Sequence, residues 1–293
     1  MIITKRDNQL FQKLSTHGML STKQATTLLF NSIARTTVLR RLRILEANYY
    51  VKRITGLDGH DVLWVLTDKG ANPAGVSTPK KSWSKNILQH DYKLLSLRLE
   101  LEKAGVAQSW IPEHEIRSLI YKKYGLLEGK QKLIPDGLMG IDAMGKFGSV
   151  AIELELTLKN QNRIKDIVSR YQEKKDLSAV WYIASSQTIL NSFFREWRNH
   201  QRFNRPLKLY GSLFEEVIKN PVEATVFREG SSCKIKDIWR IRPAHTPAHG
   251  VSIQQFANTD TEDRVTHENQ TNKMEYLFQQ KAVVITDLTL PTL

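Results

Sequence analysis

A segment in the middle of the chain constrains the fold most. Residues 150–159, VAIELELTLK, alternate between apolar and polar side chains. Because successive side chains of a β-strand point to opposite faces, this alternation predicts a strand with one apolar and one polar face. The predicted apolar face carries Val150, Ile152, Leu154, Leu156 and Leu158, and the predicted polar face carries Glu153, Glu155, Thr157 and Lys159.

The segments around this strand alternate between helical and extended patterns. Residues 87–105, 162–176 and 186–203 have apolar residues at helical spacing, and residues 177–185 form a short apolar run typical of a central strand. Residues 106–123 show no clear period. The order helix, strands, helix, strand predicts an α/β core, within a chain that is α+β overall.

The first seventy residues predict a separate small domain. Apolar periodicity predicts three short helices within residues 4–18, 20–30 and 31–50, the second starting at an N-cap, Ser21. Residues 49–70 then predict two strands around the turn GLDGH at residues 56–60. Three helices followed by a hairpin predict a winged helix-turn-helix, with the hairpin tip near the DNA backbone.

The third helix of this domain is strongly basic. Val38, Leu42 and Leu45, with Ile33 before them, form its apolar stripe. Its first residues are expected to reach base edges and its later arginines to meet phosphates. The predicted DNA-binding residues are Ser32, Arg35, Thr36, Thr37, Arg40, Arg41 and Arg43. The alternative is a protein-interaction module whose arginines form only a solvated face.

The charge balance also favours a polyanionic partner. The net charge is +13, and residues 1–70 contribute +6 of it, with 11 Lys/Arg against 5 Asp/Glu. Nucleic acid is the usual partner of a protein with such a surplus, and an anionic membrane is a less frequent one. The alternative is that the protein is basic without binding a polyanion. With one cysteine, no apolar run near 20 residues and no signal peptide, we expect a soluble cytoplasmic protein without membrane insertion.

Composition divides the chain into four predicted parts. These are the winged helix at 1–70, a linker rich in Pro, Ser and Lys at 71–86, an α/β core at 87–242, and a polar, partly disordered tail at 243–293. Residues 251–293 contain 6 Asp/Glu and 3 Lys/Arg, a net charge of −3.

The carboxylates of the predicted strand suggest metal chemistry. Glu153 and Glu155 would repel each other on one strand face unless a divalent cation binds them. Asp136, in the IPDG turn upstream, would complete an oxygen-rich site for Mg²⁺ or Mn²⁺, and Lys159 would stabilise charge developing on a phosphate. The alternative is an ordinary strand whose polar face contacts solvent.

IPDG at 134–137 followed by IELELTLK at 152–159 resembles the PD-(D/E)xK nuclease signature. The resemblance implies a restriction-endonuclease-like α/β core, whose element order the predicted helix, strands, helix, strand order matches. Residues 5–215 most resemble the replication-relaxation family, which includes MobC-type plasmid mobilisation relaxases with an N-terminal winged helix. The resemblance implies that Asp136 and Glu153 bind metal. Glu155 stands where the family usually has lysine, so Lys159 is expected to supply the displaced amine and Glu155 to assist.

The resemblance also implies two further site residues. His90 lies in the helix before the core, where some related nucleases place a site histidine. It shares a face with Leu94, Leu97 and Leu101, which favours a histidine packed in the core over a ligand. Tyr171 resembles a tyrosine that supports the site from the helix after the catalytic strand, with simple core packing as the alternative.

These features predict a plasmid or mobile-element nickase that acts on double-stranded DNA at a transfer origin, assisted by accessory mobilisation or coupling proteins. The sequence has no His-x-His triplet, so the metal cluster of most conjugative relaxases is not expected. Two alternatives stay open. One is a replication or transcription regulator with a nuclease-like scaffold, and the other is a restriction or transposase-type endonuclease subunit.

Overall fold

A computed structural model describes residues 1–55, 62–78, 84–143, 146–174, 177–200 and 207–241. The chain forms two compact units, Met1–Leu95 and Ser96–Leu293. The described residues form a three-stranded sheet in the first unit and a seven-stranded sheet in the second, both accompanied by helices. This mixed architecture confirms the predicted α/β class.

The first unit alternates short helices and strands. Its elements are α1 (Lys5–His17), β1 (Leu20–Ser21), α2 (Thr22–Leu29), α3 (Arg35–Ala47), β2 (Val51–Ile54), β3 (Leu63–Leu66) and α4 (Asp68–Ala74). The strands pair antiparallel in the order β1-β3-β2. Capping boxes start α1 at Thr4 and α2 at Ser21, so the predicted N-cap at Ser21 is confirmed.

The helix α4 continues to Ala74, past residue 71, where composition predicts that the linker begins. The Thr67 side chain caps this helix by accepting a hydrogen bond from the Gly70 N–H, and Gly75 ends it in the left-handed conformation. Gly70 also lies so close to the Tyr50 carbonyl that no Cβ would fit. The later linker residues 79–83, the hairpin tip at 57–60 and the tail at 243–293 lie outside the described residues.

The second unit contains the large sheet. Its elements begin with α5 (Lys85–Lys103), which contains the boundary between the units, and continue with β4 (Ser109–Pro112), α6 (Glu113–Gly129), β5 (Gly137–Ala143), β6 (Lys146–Glu155), α7 (Gln161–Gln172), β7 (Ala179–Ala184), α8 (Gln187–His200), β8 (Lys208–Leu213), α9 (Phe214–Lys219), β9 (Thr225–Arg228), β10 (Ser231–Lys234) and α10 (Ile235–Ile238). The segment without a clear period thus forms β4 and most of α6.

The strand order of this sheet is β10-β9-β8-β7-β6-β5-β4. β6, β7 and β8 are parallel, while the other pairs are antiparallel. Parallel neighbours need crossover connections, and α7 and α8 supply them. Both helices pack on the sheet face that carries Ala151, Val180 and Tyr182.

This packing contradicts the alternative of an ordinary strand whose polar face contacts solvent. By alternation, the face of Ala151 is also the face of Glu153 and Glu155, and the helices cover it. The strand also ends at Glu155, so Thr157 and Lys159 do not belong to it, and Leu158 is exposed rather than packed. The helix α7 begins shortly afterwards, capped by the Asn160 side chain.

No helix among the described residues has the length and apolar character needed to cross a membrane.

Candidate functional site

Asp136 lies beside the C-terminal end of β6. It directly precedes β5, and Gly137 pairs with Ile152, so Asp136 stands opposite Glu153 on the same face. Its Oδ2 accepts a hydrogen bond of 2.8 Å from the Leu154 N–H. The antiparallel register therefore brings the Pro-Asp turn and the strand glutamate together.

Two tyrosines flank Glu153. The Tyr171 hydroxyl, fully buried on α7, donates a short hydrogen bond to Glu153 Oε1. Tyr182 is the register partner of Glu153 on β7. Burial raises the pKa of both phenols, and the nearby charges of Glu153 and Asp136 raise it further. Both hydroxyls are therefore neutral at physiological pH, and Tyr171 serves as a donor that holds the Glu153 carboxylate.

Glu155 and Lys159 form an ion pair at the end of β6. The chain turns after the strand and returns the Lys159 Nζ to Glu155 Oε2. The Glu155 side chain is almost fully buried, while about a third of the Lys159 side chain is exposed. Burial lowers the pKa of the Lys159 amine, whereas the charges of Glu153 and Asp136 act in the opposite direction. The amine thus lies within the electrostatic field of both carboxylates.

The structure therefore brings together Asp136, Glu153, Glu155, Lys159 and Tyr171, all five named from the sequence. We call these residues the carboxylate cluster. The sequence does not predict that Tyr182 lies beside Glu153. This contact depends on the β6–β7 register and not on any spacing along the chain. His90 belongs to the first unit, where it is half-buried and its Nδ1 lies 3.3 Å from Asp91 Oδ1, and its place in a site stays a prediction.

The side chains of the carboxylate cluster fit a metal site with two carboxylate ligands better than a site with three. Within the described ranges, no group of three or more His, Cys, Asp or Glu side chains is arranged to hold a metal ion. Glu155 is engaged by Lys159, which leaves Asp136 and Glu153 as the paired carboxylates. Mg²⁺ is commonly held by one or two carboxylates, with water and substrate phosphate as its remaining ligands.

The exposed side of α3 forms a polar and basic surface in the first unit. Val38, Leu42 and Leu45 are buried, as the periodicity predicted. On the exposed side lie Arg35, Thr36, Thr37, Arg40 and Arg43, and Ser32, in the segment before the helix, is exposed as well. Six of the seven predicted DNA-binding residues are thus accessible to a partner.

Arg41 has a different environment from the other six. Its guanidinium forms an ion pair with the buried Asp7, through hydrogen bonds of 3.0 Å from Nε and 2.5 Å from Nη2. The same group donates to the Ile2 carbonyl. Arg41 therefore ties α3 to α1 and to the N-terminal segment, and its predicted role at a DNA surface is not supported by this geometry.

Comparison with known families gives a match over the part of the chain that carries both surfaces. A family model described as replication-relaxation matches residues 11–179, which is more than half of the 293 residues. No curated protein matches the chain. No solved structure matches it either. The matched range includes α3, Asp136, Glu153 and Lys159, and the chain belongs to the replication-relaxation family.

Proposed function

We propose that this protein is a plasmid or mobile-element relaxase that binds double-stranded DNA at a transfer origin and nicks one phosphodiester with a divalent metal. Family membership supports a role in replication and relaxation of DNA. The observation that carries the proposal is the convergence of Asp136, Glu153 and Lys159 at the C-terminal end of β6. Two carboxylates beside an amine are suited to a phosphate substrate.

DNA binding is assigned to the first unit. The element order α1-β1-α2-α3-β2-β3, with β1 pairing with β3, is the order of a winged helix-turn-helix. In that fold the third helix enters the major groove, and the exposed side of α3 carries the arginines and threonines that such a helix needs. The net charge of +13 favours the same partner.

Cleavage is assigned to the carboxylate cluster. Asp136 and Glu153 would hold Mg²⁺ or Mn²⁺, which when bound supplies Lewis-acid activation of the phosphate and of a water molecule. Tyr171 orients the Glu153 carboxylate. Lys159 places positive charge near the phosphate as negative charge develops on it, and Glu155 holds that amine in position.

A second candidate is a DNA-binding regulator of replication or transcription without nuclease activity. The Glu155–Lys159 ion pair favours it, because the carboxylate offsets the charge that a phosphate would otherwise meet. The described residues also contain no cluster of three metal ligands. This candidate predicts specific DNA binding that leaves the duplex intact in every metal.

The deciding experiment is incubation with a supercoiled plasmid that carries its own candidate origin, with Mg²⁺, Mn²⁺ or chelator. We expect relaxed circles from the wild type with metal, and none from Asp136→Asn. The matched control is Asp166→Asn, since Asp166 is a surface aspartate of α7 that pairs with two arginines.

Other outcomes of this plasmid experiment would support other functions. Linear products would favour a restriction or transposase-type endonuclease subunit. Tight binding without cleavage would favour the regulator, unless cleavage appears once an accessory mobilisation protein is added. Wild-type nicking by Asp136→Asn would show that the site assignment is wrong.

A further inference from the structure

We propose that α8 carries a second DNA-contact surface, which binds phosphates of the duplex through Arg195 and Arg198. This inference rests on the proposed function, because the α8 surface would give the second unit its own contacts with the same DNA. The helix covers the sheet face that also bears Glu153, so the surface lies on the same side of the sheet as the carboxylate cluster.

The two sides of α8 differ sharply in chemistry. The inner side is apolar and packs on the sheet through Ile189, Leu190, Phe193 and Trp197. The outer side carries Gln187, Thr188, Asn191, Arg195, Arg198 and Asn199, all exposed. Every outer side chain can donate a hydrogen bond, and two carry a positive charge.

The single acidic residue of α8 faces inward. Glu196 is buried, and its Oε1 accepts a hydrogen bond of 2.9 Å from the Gln161 side chain. Its exposed fraction is 1%, so it presents no carboxylate at the surface. The outer side of the helix therefore has positive charge and no negative charge.

The neighbouring helix α7 shows the opposite arrangement. Arg163 and Arg170 both pair with Asp166, at 3.2 Å and 2.9 Å. On α8, the Nε atom of Arg195 lies 3.9 Å from the buried Glu196 carboxylate, at the outer limit of an ion pair. Among the described residues, Arg198 has no ion-pair or hydrogen-bond partner. Both arginines of α7 are thus paired with a surface carboxylate, whereas Arg195 and Arg198 lie on a side of α8 that presents no carboxylate at the surface.

This combination of side chains fits a nucleic-acid backbone. Phosphate and sugar contacts in protein–DNA complexes come mainly from arginine and lysine, with Ser, Thr, Asn and Gln as the neutral donors. The row from Gln187 to Arg198 extends about 17 Å along the helix axis. That length is roughly half of one turn of B-DNA, which is about 34 Å. An acidic protein would satisfy the arginines but would make less use of the neutral donors.

The test measures binding of the full chain to a labelled duplex longer than two helical turns, by fluorescence anisotropy across a salt series. For Arg195→Ala/Arg198→Ala, we expect the slope of log Kobs against log salt to become shallower by about 1.8, from about 0.9 per phosphate contact. Arg195→Lys/Arg198→Lys should keep most of the slope, because it keeps the charge.

The matched control is Arg163→Ala/Arg170→Ala, which removes the same charge from the adjacent helix. If this control lowers the slope as much as the α8 variant does, only net charge matters and the proposed surface is wrong. An unchanged slope in the α8 variant also overturns it, and would leave an acidic protein as the partner for this side of α8.

The proposed function fails in a different way. If the wild type does not bind the duplex, or if Arg40→Ala/Arg43→Ala binds it as well as the wild type, DNA binding through α3 is wrong whatever the α8 variants show. Circular dichroism of each variant separates loss of contact from loss of fold.

Discussion

At the scale of single residues, Tyr171 explains how the half-buried carboxylate of Glu153 is kept in place. Its ring packs in the core that α7 and α8 form with the sheet, and its hydroxyl donates to Glu153. A hydrogen bond to a charged group contributes roughly 1.5–3 kcal/mol to stability. Removing the hydroxyl would leave Glu153 without this donor, so we expect Tyr171→Phe to lower the free energy of unfolding at pH 7 by about that amount.

Tyr171 should also make the free energy of unfolding depend on pH under alkaline conditions. Burial, followed by the charge of Glu153, raises the pKa of Tyr171 well above its ordinary value of 10.0. The unfolded chain therefore loses this proton first, so the stability that Tyr171 provides is complete below pH 10 and falls as the pH rises towards the raised pKa. Above pH 10, the free energy of unfolding of the wild type should fall more steeply than that of Tyr171→Phe, by about 1.4 kcal/mol per pH unit.

Urea unfolding followed by circular dichroism between pH 9 and 11 measures both effects. Tyr49→Phe serves as the control, because Tyr49 is 75% exposed. Equal pH slopes for the wild type and Tyr171→Phe would contradict the buried, neutral state of this phenol.

The sequence predicts the members of the carboxylate cluster but not their partners. Asp136 and Glu153 follow from a Pro-Asp turn before an alternating strand, and antiparallel pairing then places them opposite each other. The pairing of Glu155 with Lys159 was not predicted, because it depends on where β6 ends and how the chain turns afterwards. An alternating pattern indicates two faces, but it does not reveal that helices cover both carboxylates.

At the scale of elements, α3 contains arginines that the sequence does not distinguish but that have different environments in the structure. Arg40 and Arg41 are neighbours in one basic helix, yet Arg40 is exposed whereas Arg41 pairs with Asp7. Burial opposes the charge on Asp7, but the hydrogen bonds from Arg41 and Thr4 outweigh it and lower the pKa of Asp7 below its ordinary value of 3.8. Periodicity identified the buried stripe, but it could not show which arginine faces another helix.

This difference predicts opposite effects for adjacent substitutions. Arg41→Ala leaves Asp7 without its cationic partner and should lower the free energy of unfolding at pH 7 by about 1–3 kcal/mol. Because the pKa of Asp7 is lowered, the loss should be complete above pH 3.8 and should shrink as the pH falls below that value. Arg40→Ala should leave stability within about 0.5 kcal/mol of the wild type and weaken DNA binding.

Urea unfolding at pH 7 and near pH 3, with DNA anisotropy at pH 7, tests the pair. The prediction is wrong if Arg40→Ala is the less stable variant, or if Arg41→Ala is as stable as the wild type.

At the scale of the whole molecule, the extent of the first folded unit differs from the compositional boundary. The residues after position 70 include Asn, Pro, Gly and Ser, which are typical of loops. In the structure, α4 packs on α1, Ala71 is buried, and the Ser15 hydroxyl donates 2.6 Å to the Ser77 carbonyl. Loop-forming composition does not exclude a short helix when a cap and a buried contact hold it in place.

We therefore expect residues 1–78 to fold without the rest of the chain, and residues 1–70 to be less stable. The shorter fragment lacks most of α4 with its buried Ala71, and the helix capped by Thr67 is cut in its first turn. Together these losses should lower the free energy of unfolding by about 2 kcal/mol. Fragment 1–78 should also bind duplex DNA with a shallower salt dependence than the full chain, since it lacks the arginines of α8. Urea unfolding and anisotropy on both fragments check these expectations, and equal stability of the two would show that α4 contributes nothing to the first unit.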